Sequence, residues 1–166
     1  MEQLAVHLRS LVVATDEYRR AMASAAGIGL TEAAALGEIL HEGPLTPSAL
    51  VKRLGIASAS VTALVDRLDA AGLVRRRPHP VDRRSVVLSL TPDGQALAEA
   101  MFALFSADIY LAVRDARPEH VREFSGAIER MQEALRSRAA DREALAAALR
   151  RRSAPGEETP EPQSRP

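Results

Sequence analysis

The chain contains no cysteine and no tryptophan. The first absence excludes disulfides, thiolate metal sites and thiol-based redox sensing. The second belongs to a wider scarcity: aromatic residues make up 3% of the chain, so its core must be built from Ala, Leu and Val. Ala and Leu at such density favour helix. No uninterrupted run of eighteen apolar residues occurs, so no membrane-spanning helix is expected. The opening MEQLAVHLRS lacks the basic-then-apolar order of a secretory signal, and the expected location is the cytoplasm. There is no G-x-S-x-G, no P-loop and no dinucleotide fingerprint, so no enzymatic activity is expected. His7, His41, His79 and His120 are dispersed, with no pair at helical ligand spacing, so no metal and no cofactor is expected.

Net charge is also absent, with 22 basic and 22 acidic residues, but the charges are not evenly spread. Between Thr46 and Leu90 there are eight basic residues against three acidic ones, a local excess of +5. The rest of the chain carries the compensating −5. A basic middle in an acidic remainder is a localised footprint for an anionic partner.

Hydrophobic spacing divides the 166 residues into helices and one hairpin. Leu4, Leu8, Leu11, Tyr18 and Met22 form one stripe of a first helix, about residues 2–25. Thr31 is the expected N-cap of a second helix ending before Gly43-Pro44. Thr46-Pro47 opens a third, with a hydroxyl at the cap and proline at the first helical position. Gly55 makes a turn. Ser58 is the expected cap of a fourth helix, whose Val61, Leu64, Val65 and Leu68 form a buried stripe. Two helices joined by a short turn containing glycine make a helix-turn-helix. Leu73–Arg77 and Ser85–Leu90 read as the two strands of a hairpin. A fifth helix is expected over residues 92–116. A single sixth, over residues 118–152 and about 50 Å long, carries a heptad-like seam of Val121, Phe124, Ile128, Met131 and Leu135. The proline- and glutamate-rich residues 153–166 read as a disordered tail.

The fourth helix and the hairpin carry the functional reading. Opposite its apolar stripe, the helix is expected to present Ser58, Ser60, Thr62, Ala63 and Arg67. Small residues let a helix approach the floor of a DNA groove, and hydroxyls bond base edges or phosphates. Arg67 is equally placed to pair with a carboxylate of its own subunit. Arg75, Arg76, Arg77, Arg83 and Arg84 put five arginines in ten residues on the hairpin, suited to phosphate and to a narrow minor groove. Asp82, an acid among them, is expected to brace Arg84.

The stretch TPSALVKRLGIASASVTALVDRLDAAGLVRRRPHPVDRRSVVLSLTPDG resembles the core of the MarR family of bacterial transcription regulators. The motifs are Leu30-Thr31, the small-residue run Ser58–Thr62, Asp66–Leu68, Gly72–Arg75, Asp82–Arg84 and Leu90–Gly94. The resemblance implies a mainly α fold with a small β-hairpin wing: a winged helix-turn-helix joined to a helical dimerisation region. It implies a homodimer whose terminal helices interleave, with Asp82 and Arg84 at the D-x-R wing tip and the arginine entering the minor groove. It implies a regulator, often a repressor released by a small-molecule effector, bound as a dimer to double-stranded DNA at a pseudo-palindromic operator. The effector pocket, by the same resemblance, would draw on Leu11, Tyr18, Met22, Leu36, Leu40, His41, Met101 and Phe105, residues that plain core packing also explains. Pro78-His79-Pro80 departs from the family pattern and stiffens the wing.

The expected organisation is a dimerisation helix over residues 1–29, a DNA-binding domain over 30–95, dimerisation helices over 96–152 and the tail. The alternative is a winged helix that binds protein without specific DNA binding. Such a module needs no basic wing.

Overall fold

The computed structural model describes residues 2–82 and 85–153, so Arg83, Arg84 and the expected tail beyond Ser153 lie outside the described residues. The order of elements is α1 (Glu2–Ala25), α2 (Leu30–Glu42), α3 (Pro47–Leu54), α4 (Ser58–Ala70), β1 (Val74–Pro78), β2 (Val86–Leu90), α5 (Pro92–Val113), α6 (Pro118–Ala140) and α7 (Arg142–Ser153). The fold is mostly helical with one antiparallel hairpin, as the spacing predicts. The chain falls into two units, one ending at Leu111 and the other beginning at Ala112.

In the first unit the core is the winged helix-turn-helix. Leu36 of α2, Leu50 of α3, Leu64 and Leu68 of α4, Val74 of β1 and Leu88 of β2 are all fully buried and form one cluster with Val61 and Val65. The i, i+3, i+4, i+7 stripe of α4 is therefore its inward face. The strands pair from Val74↔Leu90 to Pro78↔Val86. Leu45 adds an isolated antiparallel bridge to β2, its N–H donating to Leu88 O at 3.1 Å and its carbonyl accepting from Leu88 N at 2.7 Å. No sequence periodicity marks this bridge, because a single residue between two proline-containing turns cannot alternate.

Local chemistry explains how the elements join. Thr46 caps α3 by accepting from Ala49 N at 3.2 Å, and Pro47 takes the first helical position. Helix α4 and the wing meet at Gly72, whose φ of 69° lies in the left-handed region open to glycine. Gly72 N donates to Asp69 O and Leu73 N to Leu68 O, each at 2.9 Å, which closes α4 with a Schellman motif. Wing and α5 meet at Thr91, which donates to Gly72 O at 2.6 Å and accepts from Gly94 N at 3.0 Å. A Cβ at residue 94 would lie 1.8 Å from the Leu73 carbonyl oxygen, so this position has room for glycine alone. The Leu90-Thr91-x-x-Gly94 pattern thus records a strand end, a cap and a close backbone crossing.

Several expectations are corrected. Helix α2 starts two residues earlier than a Thr31 cap requires. Its N-cap is Gly29, whose N–H donates to the Glu32 carboxylate at 2.5 Å. Helix α4 is preceded by Ala57, and Ser58 is its first helical residue rather than its cap, with no side-chain cap bond. The fifth helix stops at Val113 rather than Ala116. The long sixth helix is two: Asp141 leaves helical geometry at φ −95°, ψ 78°, and its Oδ1 accepts from Ala144 N at 2.9 Å to cap α7. An aspartate both interrupts one helix and starts the next, while the apolar pattern runs on across it. Finally, α5 is long and apolar enough to cross a membrane by length and composition. The search for unbroken apolar runs misses it because Glu99 and Asp108 interrupt an otherwise apolar helix.

In the second unit α6 has no buried residue, and Phe124 and Leu135 of its expected seam are exposed.

Candidate nucleic-acid interface

Helix α4 turns its buried stripe to the core and leaves Ser58, Ser60, Thr62, Ala63 and Arg67 exposed. These five make a shallow face of hydroxyls, one methyl and one guanidinium. Arg67 is held from within: its Nε donates to Glu32 Oε1 at 2.5 Å. Of the two readings open in the sequence, its partner in this structure is the carboxylate. Glu32 is the more enclosed partner, its side chain 13% exposed against 59% for Arg67. The guanidinium hydrogen bond, followed by the Gly29 N–H, holds the Glu32 carboxyl below the ordinary glutamate range.

The arginines of β1 divide by strand alternation, since neighbouring side chains point to opposite faces. Arg76 pairs with Asp66 and lies 3.9 Å from Asp69, both on α4. It fastens the wing to α4, which differs from the groove-facing role expected of it. Arg75 and Arg77, on the other face, are exposed and make no ion pair with a described residue. The +5 segment is thus partly neutralised internally. Arg53 joins this pattern, pairing with Glu38 at 3.2 Å and Glu42 at 2.8 Å. These partners lie seven to fifteen residues away, and no local motif announces them. Asp82 sits in the wing loop, where its carbonyl accepts from Ser85 N at 2.9 Å. Its expected partner Arg84, like Arg83, is outside the described residues.

A second feature of the first unit is a cavity of about 770 Å³ among α1, α2, α3 and α5. Met22, Leu40, His41, Met101 and Phe105 line it, five of the eight residues named from the resemblance. Leu36 is not among the lining residues: it is wholly buried in the core. Leu11 also lies off the lining and is about half exposed. Tyr18 stands beside it, its ring 5.9 Å from that of Phe105 and its hydroxyl donating to Asp108 Oδ2 at 2.8 Å. That bond keeps the Tyr18 phenol above its ordinary range. Arg19, Arg53 and Phe102 also line the cavity and were not anticipated, because their exposure in single helices resembles an ordinary solvated face.

Among the described residues no cluster of three or more His, Asp or Glu has the arrangement of a metal site.

Comparison with known proteins agrees with this geometry. Residues 26–85 match the model of the MarR family. Over 89 residues the chain is 42% identical to an uncharacterised HTH-type transcriptional regulator, YcgE, of Bacillus subtilis strain 168, covering 53% of this chain and 58% of that one. The chain thus spans little more than half the length of that curated relative. Among solved structures, a MarR family protein from Bacillus stearothermophilus superposes with a TM-score of 0.72 at 23% identity, over 81% of this chain and 94% of the other. The transcriptional regulator Tm0710 of Thermotoga maritima superposes at 0.62 and 26% identity, over 84% and 99%. The matched segment is the one that carries the helix-turn-helix, the Schellman turn and the arginine hairpin, and over it the chain is similar to the MarR family.

Proposed function

We propose that the protein is a sequence-specific DNA-binding transcriptional regulator that acts as a homodimer on a pseudo-palindromic operator, as a repressor released by a small-molecule effector. The observation that carries this reading is the pairing of one exposed face with one exposed edge. Helix α4 presents Ser60, Thr62 and Ala63 outward over a closed core. Beside it β1 presents Arg75 and Arg77 without intramolecular partners among the described residues. A small-residue helix suits the major groove, and free arginines suit phosphate or the adjoining minor groove. Arg83 and Arg84 extend that charge in sequence. A protein-binding winged helix has no need of such a hairpin.

The dimer reading rests on apolar surface. Leu4, Leu11, Val12 and Val13 of α1 and Phe102, Ile109 and Tyr110 of α5 are exposed within the first unit. Exposed apolar area of that extent marks an interaction surface, and a second copy of the same helices supplies a matching one. The composition that would let α5 enter a membrane serves equally to bury it between subunits. In this reading α1 and α5–α7 form the dimerisation region, residues 30–95 bind DNA, and the 770 Å³ cavity between α1, α2 and α5 takes the effector.

Selection of bound sequences from random duplex DNA tests the proposal. The expected product is a two-fold motif with half-sites about one helical turn, ~10 bp, apart. Recovery of no motif, together with binding that does not weaken as salt rises, would overturn it.

A further inference from the structure

His79 stands between Pro78 and Pro80 at the start of the wing loop, half-buried while its neighbours from Arg75 to Asp82 are exposed. Its imidazole Nδ1 accepts two backbone hydrogen bonds, from Val81 N at 3.2 Å and Asp82 N at 3.0 Å. Its own backbone N–H donates to Ser85 O at 3.0 Å, and Ser85 N donates to Asp82 O at 2.9 Å. One histidine therefore ties both sides of the loop. Pro80 contributes no N–H of its own, so the two converging donors have this ring nitrogen as their shared acceptor.

An imidazole nitrogen accepts only when it carries no proton. The geometry therefore requires a neutral ring with its hydrogen on Nε2. Protonation would turn Nδ1 into a donor facing two other donors, and the loop would have to open. We infer that His79 is a positioning residue of the wing: its neutral imidazole holds the loop that follows Arg77, and protonation releases it. This rests on the DNA-binding reading.

The charged side chains nearest in the surrounding chain are Arg77 on β1 and Asp82 in the loop, followed by Arg83 and Arg84; β2 opens with Val86 and Val87 and brings no titratable group. Two effects of acid then oppose each other. Added positive charge strengthens attraction to phosphate. Loss of two backbone bonds loosens the loop that follows the exposed Arg75 and Arg77. The cap makes the second effect win, so affinity falls with falling pH, opposite to what charge alone gives.

The test uses the full chain, its His79→Asn and His79→Ala variants, and the duplex recovered by selection. Asparagine offers an Oδ1 acceptor that does not titrate. Nitrogen-15 NMR without DNA reads the ring nitrogens of His79 and the amides of Val81 and Asp82 between about pH 5 and 8, where imidazoles titrate. The expected result is an unprotonated Nδ1 at pH 8, with both amides following the ring's titration in the wild type and flat in His79→Asn. Fluorescence anisotropy then reads affinity at fixed salt. From pH 8 to 5.5 the wild type should lose affinity on the order of fivefold, the scale of one or two net hydrogen bonds. His79→Asn should hold its affinity across the range, and His79→Ala should be weak throughout. A hydrogen on Nδ1, amides that ignore the ring, or wild-type affinity that rises in acid as charge alone predicts would each overturn the inference. If no duplex binds at any pH, the DNA reading fails while the ring nitrogens still decide the cap.

Discussion

Leu64 and Leu11 are the same side chain in two helices of one unit, and one is 1% exposed while the other is 49%. The difference extends to whole regions. From α2 to the start of α5, apolar residues meet one another in a closed core ending at Ala98. In α1 the one buried residue is Ala23, and in α5 only Gly94 and Ala98 are buried. The winged region satisfies itself. The flanking helices leave large apolar side chains outward, the surface that the proposed dimer would cover. Periodicity alone cannot separate these cases, because a stripe that faces a neighbouring helix and a stripe that faces another subunit repeat at the same spacing.

The sharpest break in the comparison is the same truncation made on each side of it. Leu64→Ala should lower stability by about 2–5 kcal/mol, the cost of a cavity in a packed core, at any protein concentration. Leu11→Ala should cost less and should do so by weakening association, so its effect on the melting temperature depends on protein concentration. Thermal melts over a hundredfold range of concentration, with sedimentation equilibrium, read both. Equal, concentration-independent losses would mean that the flanking helices are not an interface.

A smaller effect separates the arginines of the wing from one another. Arg75→Ala and Arg77→Ala should each reduce the slope of log affinity against log salt by about one, as expected when one phosphate contact is removed. Arg76→Ala should leave that slope nearly unchanged, because Arg76 already faces Asp66 and Asp69. It should instead loosen the wing from α4. An equal slope change for all three would place Arg76 on the DNA and contradict its assignment as an internal tie.

What the sequence reveals follows the range of the interaction. The stripe Val61, Leu64, Val65, Leu68 is buried as its spacing predicts, because helical periodicity is local. Thr46-Pro47 and Gly72 act where their chemistry places them. The break at Asp141 escapes notice because Leu135, Leu145 and Leu149 keep an apolar rhythm on both sides of it. Ser58 and Thr31 are good capping residues that do not cap, because the chain enters α4 one residue earlier and α2 two residues earlier. Least legible are the pairs Arg67–Glu32 and Arg76–Asp66, whose partners come together only after folding. The exposed face of α4 could be foreseen; which of its charges remain available for a ligand could not.

Glu32 is where the two regions of the first unit touch chemically, since one carboxylate receives the Gly29 N–H after α1 and the Arg67 guanidinium on α4. Its carboxyl is held below the ordinary value of 4.5, by Arg67 first and the Gly29 N–H second. A lowered folded-state value contributes stability above the unfolded-state value, and that contribution disappears as pH falls through the folded one. Arg67 is well exposed and solvent screens the pair, so the contribution is small, about 1 kcal/mol or less. Glu32→Gln removes the charge but keeps a carbonyl that can accept one of the two bonds. Urea denaturation of both proteins should show the wild type ahead by that amount at neutral pH. The gap should close in the acid range below 4.5, where the wild-type carboxyl itself takes a proton. A gap that persists unchanged into acid would mean that the charge on Glu32 does not join α4 to the turn after α1, and that packing alone holds α4 in place.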